Sequence, residues 1–254
     1  MALSIIKAFP ERDKTVWDTN TSYLKVSELF CDSIQGEGIT TGIPAAFLRL
    51  QGCTLNCQWC DTASVWKTGG EYSFFELFEL MDQADLPRKL SEGQHLVITG
   101  GSPLLQQPVL IKFFNKFKEI YDFLPFIEVE NECVIPPLRE LQDMVSIWNN
   151  SPKLMNSGMT WKFRYKPEVI GFMSELNNSW FKFVISDPQD WEEIKNDFLE
   201  RELIRRNQII LMPEGATRDV LERNREFVVD IAIKNNVRYC TREQIILWND
   251  KIGV

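Results

Sequence analysis

Residues 45–62 read AAFLRLQGCTLNCQWCDT. The opening run, Ala45–Leu50, is short and apolar enough to be a buried strand. It turns at once into Gly52 and three cysteines, Cys53, Cys57 and Cys60, spaced C-x3-C-x2-C. A short loop at the carboxyl end of a strand can fold three thiolates around one compact inorganic cluster, and thiolate is the soft ligand that iron–sulfur chemistry uses. Three protein ligands for a four-iron cube leave one iron open to a substrate or cofactor. Two other readings stay open on spacing alone. A structural zinc site wants four closed ligands, and the candidates for the fourth, Cys31, His95 and Cys133, are remote in sequence. Three buried, inert cysteines are the other.

Outward from this motif, apolar runs alternate with amphipathic stretches. The strand candidates are Leu24–Phe30, Ala45–Leu50, Leu96–Thr99, Phe126–Glu130, Val145–Trp148, Trp180–Ile185, Gln208–Met212 and Val237–Cys240. Between them lie helix candidates at Ser73–Ala84, Pro103–Tyr121, Pro136–Gln142, Glu168–Asn177, Pro188–Arg205 and Thr217–Asn235. In the first, Phe74, Leu77, Phe78 and Met81 recur at helical spacing and make one apolar face. Strands alternating with helices predict βαβ units, a parallel sheet and an α/β class. Five or six such units predict a partial or complete (β/α) barrel, with its chemistry at the carboxyl ends of the strands. The chain reads as a single domain, 1–254. Residues 1–20 lack periodicity and are expected to be a mobile arm, and 154–166 is expected to be a loop excursion on one face.

Composition narrows the function. Of 254 residues 44% are hydrophobic, enough for one sizeable core. The formal charge of −8 repels a phosphate backbone and argues against direct nucleic-acid binding. The sequence shows no signal peptide and no apolar run approaching the ~18 residues of a membrane span, so a cytoplasmic protein without membrane contact is expected. In a reducing compartment six cysteines are not expected to form a disulfide framework. A single histidine, His95, removes most of the case for a Ser-His-Asp triad or a multi-histidine metal site.

The cysteine spacing after a strand is similar to the signature of the radical S-adenosylmethionine (SAM) superfamily. That resemblance implies a 4Fe-4S cluster on Cys53, Cys57 and Cys60, with SAM chelating the open iron through its amino and carboxylate groups and being split to a 5′-deoxyadenosyl radical. Three further segments fit it. LVITGGSP, Leu96 to Pro103, is a strand running into Gly100 and Gly101; it resembles the superfamily's GGEP-type motif, whose backbone receives the SAM amino group, with Ser102 at the acidic position. FIEVEN, Phe126 to Asn131, puts Glu128 and Glu130 on one strand face. It resembles VEVETNG segments, which implies that Glu130 contacts the ribose; Glu128 could equally be a solvated edge carboxylate. SPK, Ser151 to Lys153, resembles a segment lining the SAM pocket, although Lys153 alone would read as a surface lysine.

The stretch from Asp32 to Cys53, DSIQGEGITTGIPAAFLRLQGC, is more specific. It is similar to the start of the 7-carboxy-7-deazaguanine synthase family, with its QGEG, G-x-P-A and F-x-R elements. The resemblance continues through the W-C-D-T after the cysteines, KFVI (Lys182 to Ile185), MPEG (Met212 to Gly215) and the tail LWNDKIGV. It implies ring contraction of 6-carboxy-5,6,7,8-tetrahydropterin with loss of ammonia, as in queuosine-type deazapurine biosynthesis. The implied substrate contacts are Gln35, Glu37, Gly38, Arg49, Asp61, Gln244 and Val254. Thr62 would help to ligate a magnesium ion. An electron donor such as flavodoxin or ferredoxin and a homodimer are implied too. Arg49 suits a carboxylate because its planar fork binds in bidentate fashion. Gln244 is a departure, since the family often has histidine there. The alternatives are a glycyl-radical-activating enzyme and a zinc-stabilised binding module.

Overall fold

The computed structural model describes residues 3–6 and 22–251. Ten strands follow one another along the chain: β1 Leu3–Ile6, β2 Tyr23–Ile34, β3 Pro44–Leu50, β4 Gly70–Ser73, β5 His95–Gly100, β6 Phe126–Asn131, β7 Ile147–Asn150, β8 Ser179–Ile185, β9 Ile209–Pro213 and β10 Arg238–Tyr239. They form one sheet in the order β1-β2-β3-β5-β6-β7-β8-β9-β10, with β4 also paired to β2. From β3 to β10 every pairing is parallel; β2 runs antiparallel to β3, β1 and β4. The path ends at β1 and β10 without closing on itself, so the expected α/β architecture is a partial barrel.

Parallel strands sandwiched on both faces carry continuous apolar runs. Leu96, Val97 and Ile98 of β5 are all fully buried, as are Ile127 and Val129 of β6. The helix Phe74–Gln83 begins where Ser73 and Glu76 cap each other: Glu76 N–H donates to Ser73 Oγ at 3.2 Å and Ser73 N–H to Glu76 Oε2 at 2.8 Å. Its Phe78 ring stacks at 5.1 Å on Phe113 of the helix Gln107–Tyr121, which seals one side of the sheet.

Three expectations change. The helix expected over Pro188–Arg205 is α-helical only at Gln189–Ile194, widens at Lys195–Leu199 and then stops; Glu202 adopts a left-handed φ of 57°, which ends helical propagation. Glu128 is not an edge carboxylate: it sits fully buried in an interior strand. Short elements at Gly70–Ser73, Ala63–Trp66, Leu86–Ser91 and Glu243–Trp248 had no apolar run or periodicity long enough to announce them. Of the expected arm, Leu3–Ile6 pairs with β2 as a strand; the rest lies outside the described residues. No helix among the described residues is long and apolar enough to cross a membrane.

Candidate active site

One cavity of about 400 Å³ opens where the parallel strands end. The loop after β3 brings Cys53, Cys57 and Cys60 to its wall, and all three thiols are partly exposed there. Burial pushes the thiols of Cys53 and Cys57 up, so a bound cation is what would hold them as thiolates. Cys31 and Cys133 are fully buried in the main core, and burial raises the Cys240 thiol to about 11. Among the described residues no three His, Cys, Asp or Glu side chains have the spacing of a single-ion site. A cubane asks for less, because each thiolate binds a different iron.

Gly100 and Gly101 hold the cysteine loop in place. A Cβ on Gly101 would lie 2.0 Å from Gly52 O, and one on Gly100, where φ is +129°, 2.2 Å from Leu50 O. The two glycines therefore let the end of β5 lie against the end of β3. Ser102, expected at the SAM pocket, is fully buried and absent from the cavity wall. Its N–H donates to Gly52 O at 2.8 Å, its Oγ accepts the Thr54 N–H at 2.9 Å, and it lies 3.7 Å from Cys53 Sγ. Its role here is to anchor the cysteine loop.

The excursion at 154–166 braces the same loop from the other side. It holds a turn at Met155–Ser157 and a short helix at Trp161–Arg164. Gln58 N–H donates to Ser157 O at 2.9 Å, Gln58 Nε2 to Asn156 O at 2.8 Å and Trp59 Nε1 to Asn156 Oδ1 at 3.2 Å. Arg164, buried, ties the excursion down through Glu193 at 2.6 Å and Lys153 O at 3.0 Å.

Glu130, Ser151 and Lys153 line the cavity beside the cysteines. Glu130 accepts the Thr99 hydroxyl at 2.7 Å, and Lys153 donates to Ser151 Oγ at 2.8 Å with its ammonium over the Trp59 ring. Lys153 is thus a half-buried cavity residue rather than a surface lysine. Glu128, two residues earlier on the strand, shares the Gln35 amide with Glu130 at 3.4 Å each, but its other partners differ: His95 Nδ1 at 2.5 Å, Thr40 Oγ1 at 2.7 Å and Asn149 Nδ2 at 2.8 Å. It fastens the loop after β2 to the sheet.

The opposite wall is built on Glu37. Its Oε1 accepts Arg242 Nε at 2.9 Å and Gln244 Nε2 at 2.7 Å, and its Oε2 accepts the Lys182 ammonium. Burial alone would raise the Glu37 pKa, but Lys182 and Arg242 outweigh it and hold the carboxyl well below the usual range. Arg242 continues to Asp61 and to Gly215 O, the latter at 2.7 Å. Glu37, Asp61 and Gln244, named from sequence, are therefore joined in one network by Lys182 and Arg242, which sequence reasoning did not assign. The signal for Lys182 was a charged residue inside the apolar run FKFVI.

Arg49 lines the cavity with its Nε given to Glu28 Oε2 at 2.9 Å; the remaining donors of its fork meet no protein partner among the described residues. Thr62 lies on the wall with its Oγ1 3.7 Å from Cys60 Sγ, and Gln35 reaches the wall from the loop after β2. Gly38 is off the wall: it is buried, with φ +77° and its N–H on Cys240 Sγ at 3.4 Å, so it shapes the loop rather than the cavity surface. Val254 lies outside the described residues. Glu132, just after β6, was missed altogether; it is a buried wall residue whose Oε2 has no hydrogen-bond partner among the described residues.

The donor set suits a cluster and a cofactor: three soft thiols on one wall, and a buried acceptor beside them without a donor. The family model described as a 4Fe-4S single cluster domain matches residues 34–126. A 7-carboxy-7-deazaguanine synthase of Pyrobaculum aerophilum is 33% identical over 92% of this chain and 98% of its own length. One from Halobacterium salinarum is 27% identical over 89% and 91%. The crystal structure of QueE from Escherichia coli has the same fold, with a TM-score of 0.63 and 21% identity over 89% of this chain and 96% of that one. The chain belongs to the 7-carboxy-7-deazaguanine synthase family.

Proposed function

We propose that this protein is a 7-carboxy-7-deazaguanine synthase, a radical SAM enzyme that converts 6-carboxy-5,6,7,8-tetrahydropterin to 7-carboxy-7-deazaguanine with release of ammonia. The observation that carries the reading is the cavity itself, with three thiols on one wall and a fixed, charge-balanced network of Glu37, Asp61, Lys182 and Arg242 on the other, at the carboxyl ends of the parallel strands. Its volume of about 400 Å³ lies in the range of small-molecule sites.

Cys53, Cys57 and Cys60 would hold a 4Fe-4S cluster, and Gly100, Gly101, Glu130, Ser151 and Lys153 would surround SAM. When bound, cluster and SAM supply the one-electron chemistry that no side chain here can. The chain's own residues bind, orient and exclude water. Arg49 offers free donors to the substrate carboxylate, with Glu28 fixing the plane of the fork. Glu37 is fully committed to Lys182, Arg242 and Gln244, so it acts as an ionised support and not as a proton donor. Gln244, where the family often has histidine, keeps its Oε1 buried and without a partner among the described residues, and suits recognition rather than proton transfer. Phe30, Phe47, Val184 and Met212 are among the apolar residues of the wall, which displace water from the reacting atoms.

Thr62, beside the cysteine loop, is the oxygen we assign to a magnesium shared with substrate, and Asp61, held by Arg242, is a substrate contact. A homodimer, a flavodoxin or ferredoxin as electron donor, action of 1–254 as one domain and a reducing cytoplasm complete the proposal. The free state of Cys31, Cys133 and Cys240 is in keeping with that compartment. Anaerobic incubation with SAM, reductant and the carboxy-tetrahydropterin tests it, with mass spectrometry reading deazaguanine formation.

A further inference from the structure

We infer that Glu132 is a carboxylate that receives the amino group of SAM in this chain, in addition to the backbone at Gly100 and Gly101. The inference rests on the proposed reading of the cavity as a SAM site. Ser102 is short and fully buried and does not reach the cavity. The following strand, β6, does bring a carboxylate to the cavity. Glu132 follows directly on the last residue of β6, is 5% exposed and lines the cavity.

Its two oxygens differ. Oε1 accepts the Thr54 hydroxyl at 2.7 Å, while Oε2 is buried with no partner among the described residues. A buried carboxylate oxygen without a donor is costly, and such a group persists where a donor arrives with a ligand. Lys153, a lysine of the same cavity, is engaged elsewhere: it donates to Ser151 and lies over Trp59. Thr54 Oγ1 lies 3.1 Å from Ser102 Oγ, which in turn lies 3.7 Å from Cys53 Sγ. Glu132, Thr54, Ser102 and Cys53 thus form one connected chain, which ties the orphan acceptor to the cluster loop. A primary amine bound beside that loop is the donor this arrangement fits, and SAM carries one.

The test is calorimetric titration of anaerobic, cluster-loaded protein with two ligands: SAM, and an analogue lacking only the α-amino group. Glu132→Gln should weaken SAM by about ten- to a hundredfold, the value of a hydrogen bond to a charged group. Affinity for the deamino analogue should change by less than about threefold, because the lost acceptor has nothing there to receive. If Glu132→Gln fails to hold its cluster, Thr54→Val keeps the volume and frees Oε1; a smaller loss confined to SAM is then expected, and none overturns the inference. Equal losses for both ligands would make Glu132 structural, and an unchanged SAM affinity would mean that Oε2 receives nothing from SAM. Either result refutes the assignment while leaving the SAM site intact. A wild-type protein that holds its cluster but binds neither ligand would remove the proposed site, and this inference with it.

Discussion

Replacing Glu37 by Gln should destabilise the protein in a way that its geometry makes quantitative. The carboxylate neutralises two buried cations, Lys182 and Arg242, whose side chains are 7% and 13% exposed. An amide keeps one acceptor but turns a donor toward groups that only donate, and it carries no charge. Removing one partner of a buried ion pair costs roughly 3–5 kcal/mol. Arg242 retains Asp61 and Gly215 O, which places the expected loss near the lower end, about 3 kcal/mol. For a chain of this size that is a fall of about 6–12 °C in Tm. Circular dichroism melts of the cluster-loaded proteins at pH 7 measure it. The sign with pH follows from the depressed Glu37 pKa: its stabilisation is fully present above the unfolded value, about 4.3, and is lost as pH falls toward the folded one. The gap between wild type and variant should therefore narrow below about pH 4. A variant melting within about 2 °C of wild type at pH 7, or a gap that persists undiminished in acid, would refute the buried-network account.

Three other substitutions probe separate parts of the site. Gly101→Ala would put a Cβ 2.0 Å from the Gly52 carbonyl, forcing the β5 and β3 loops apart; iron and sulfide per chain should fall by more than about half, and full occupancy would contradict the packing argument. Cys57→Ala should abolish the cluster while Cys240→Ala retains it, read by anaerobic iron analysis and the visible absorption band; stoichiometric zinc without sulfide in the wild type would overturn cluster ligation altogether. Arg49→Lys should lower kcat/KM for the carboxy-tetrahydropterin by about tenfold or more despite its conserved charge, since a point charge replaces a fork; equal kinetics would remove Arg49 from carboxylate recognition.

Much of the sheet is legible because a parallel strand buried on both faces must be apolar throughout. Leu96–Thr99 and Trp180–Ile185 stand out for that reason, and the observed strands His95–Gly100 and Ser179–Ile185 extend them by a residue or so. β4 is hidden because GEYS carries no such run; it forms only as an edge added to β2. The cysteine wall is legible because its three thiols fall within eight consecutive residues, Cys53 to Cys60. The opposite wall is not, because its bonds close over the whole fold: Glu37 meets Lys182 across 145 residues and Arg242 across 205. Glu128 and Glu130 share a strand face in the sequence pattern, yet one is fully buried on His95, Thr40 and Asn149 and the other lines the cavity. Only the neighbouring strands and loops separate those fates. The excursion at 154–166 has no periodicity to read, because its purpose is local: it hydrogen-bonds Gln58 and Trp59 and so shapes the cysteine loop.

The central claim is chemical, and anaerobic turnover tests it most directly. Cluster-loaded protein supplied with SAM, a one-electron reductant, magnesium and 6-carboxy-5,6,7,8-tetrahydropterin should yield 7-carboxy-7-deazaguanine and ammonia, identified by mass spectrometry. Omitting magnesium should slow the reaction, because the ion would orient the substrate between Thr62 and its own oxygens. An intact cluster that cleaves SAM yet forms no deazaguanine product, with or without magnesium, would contradict the account.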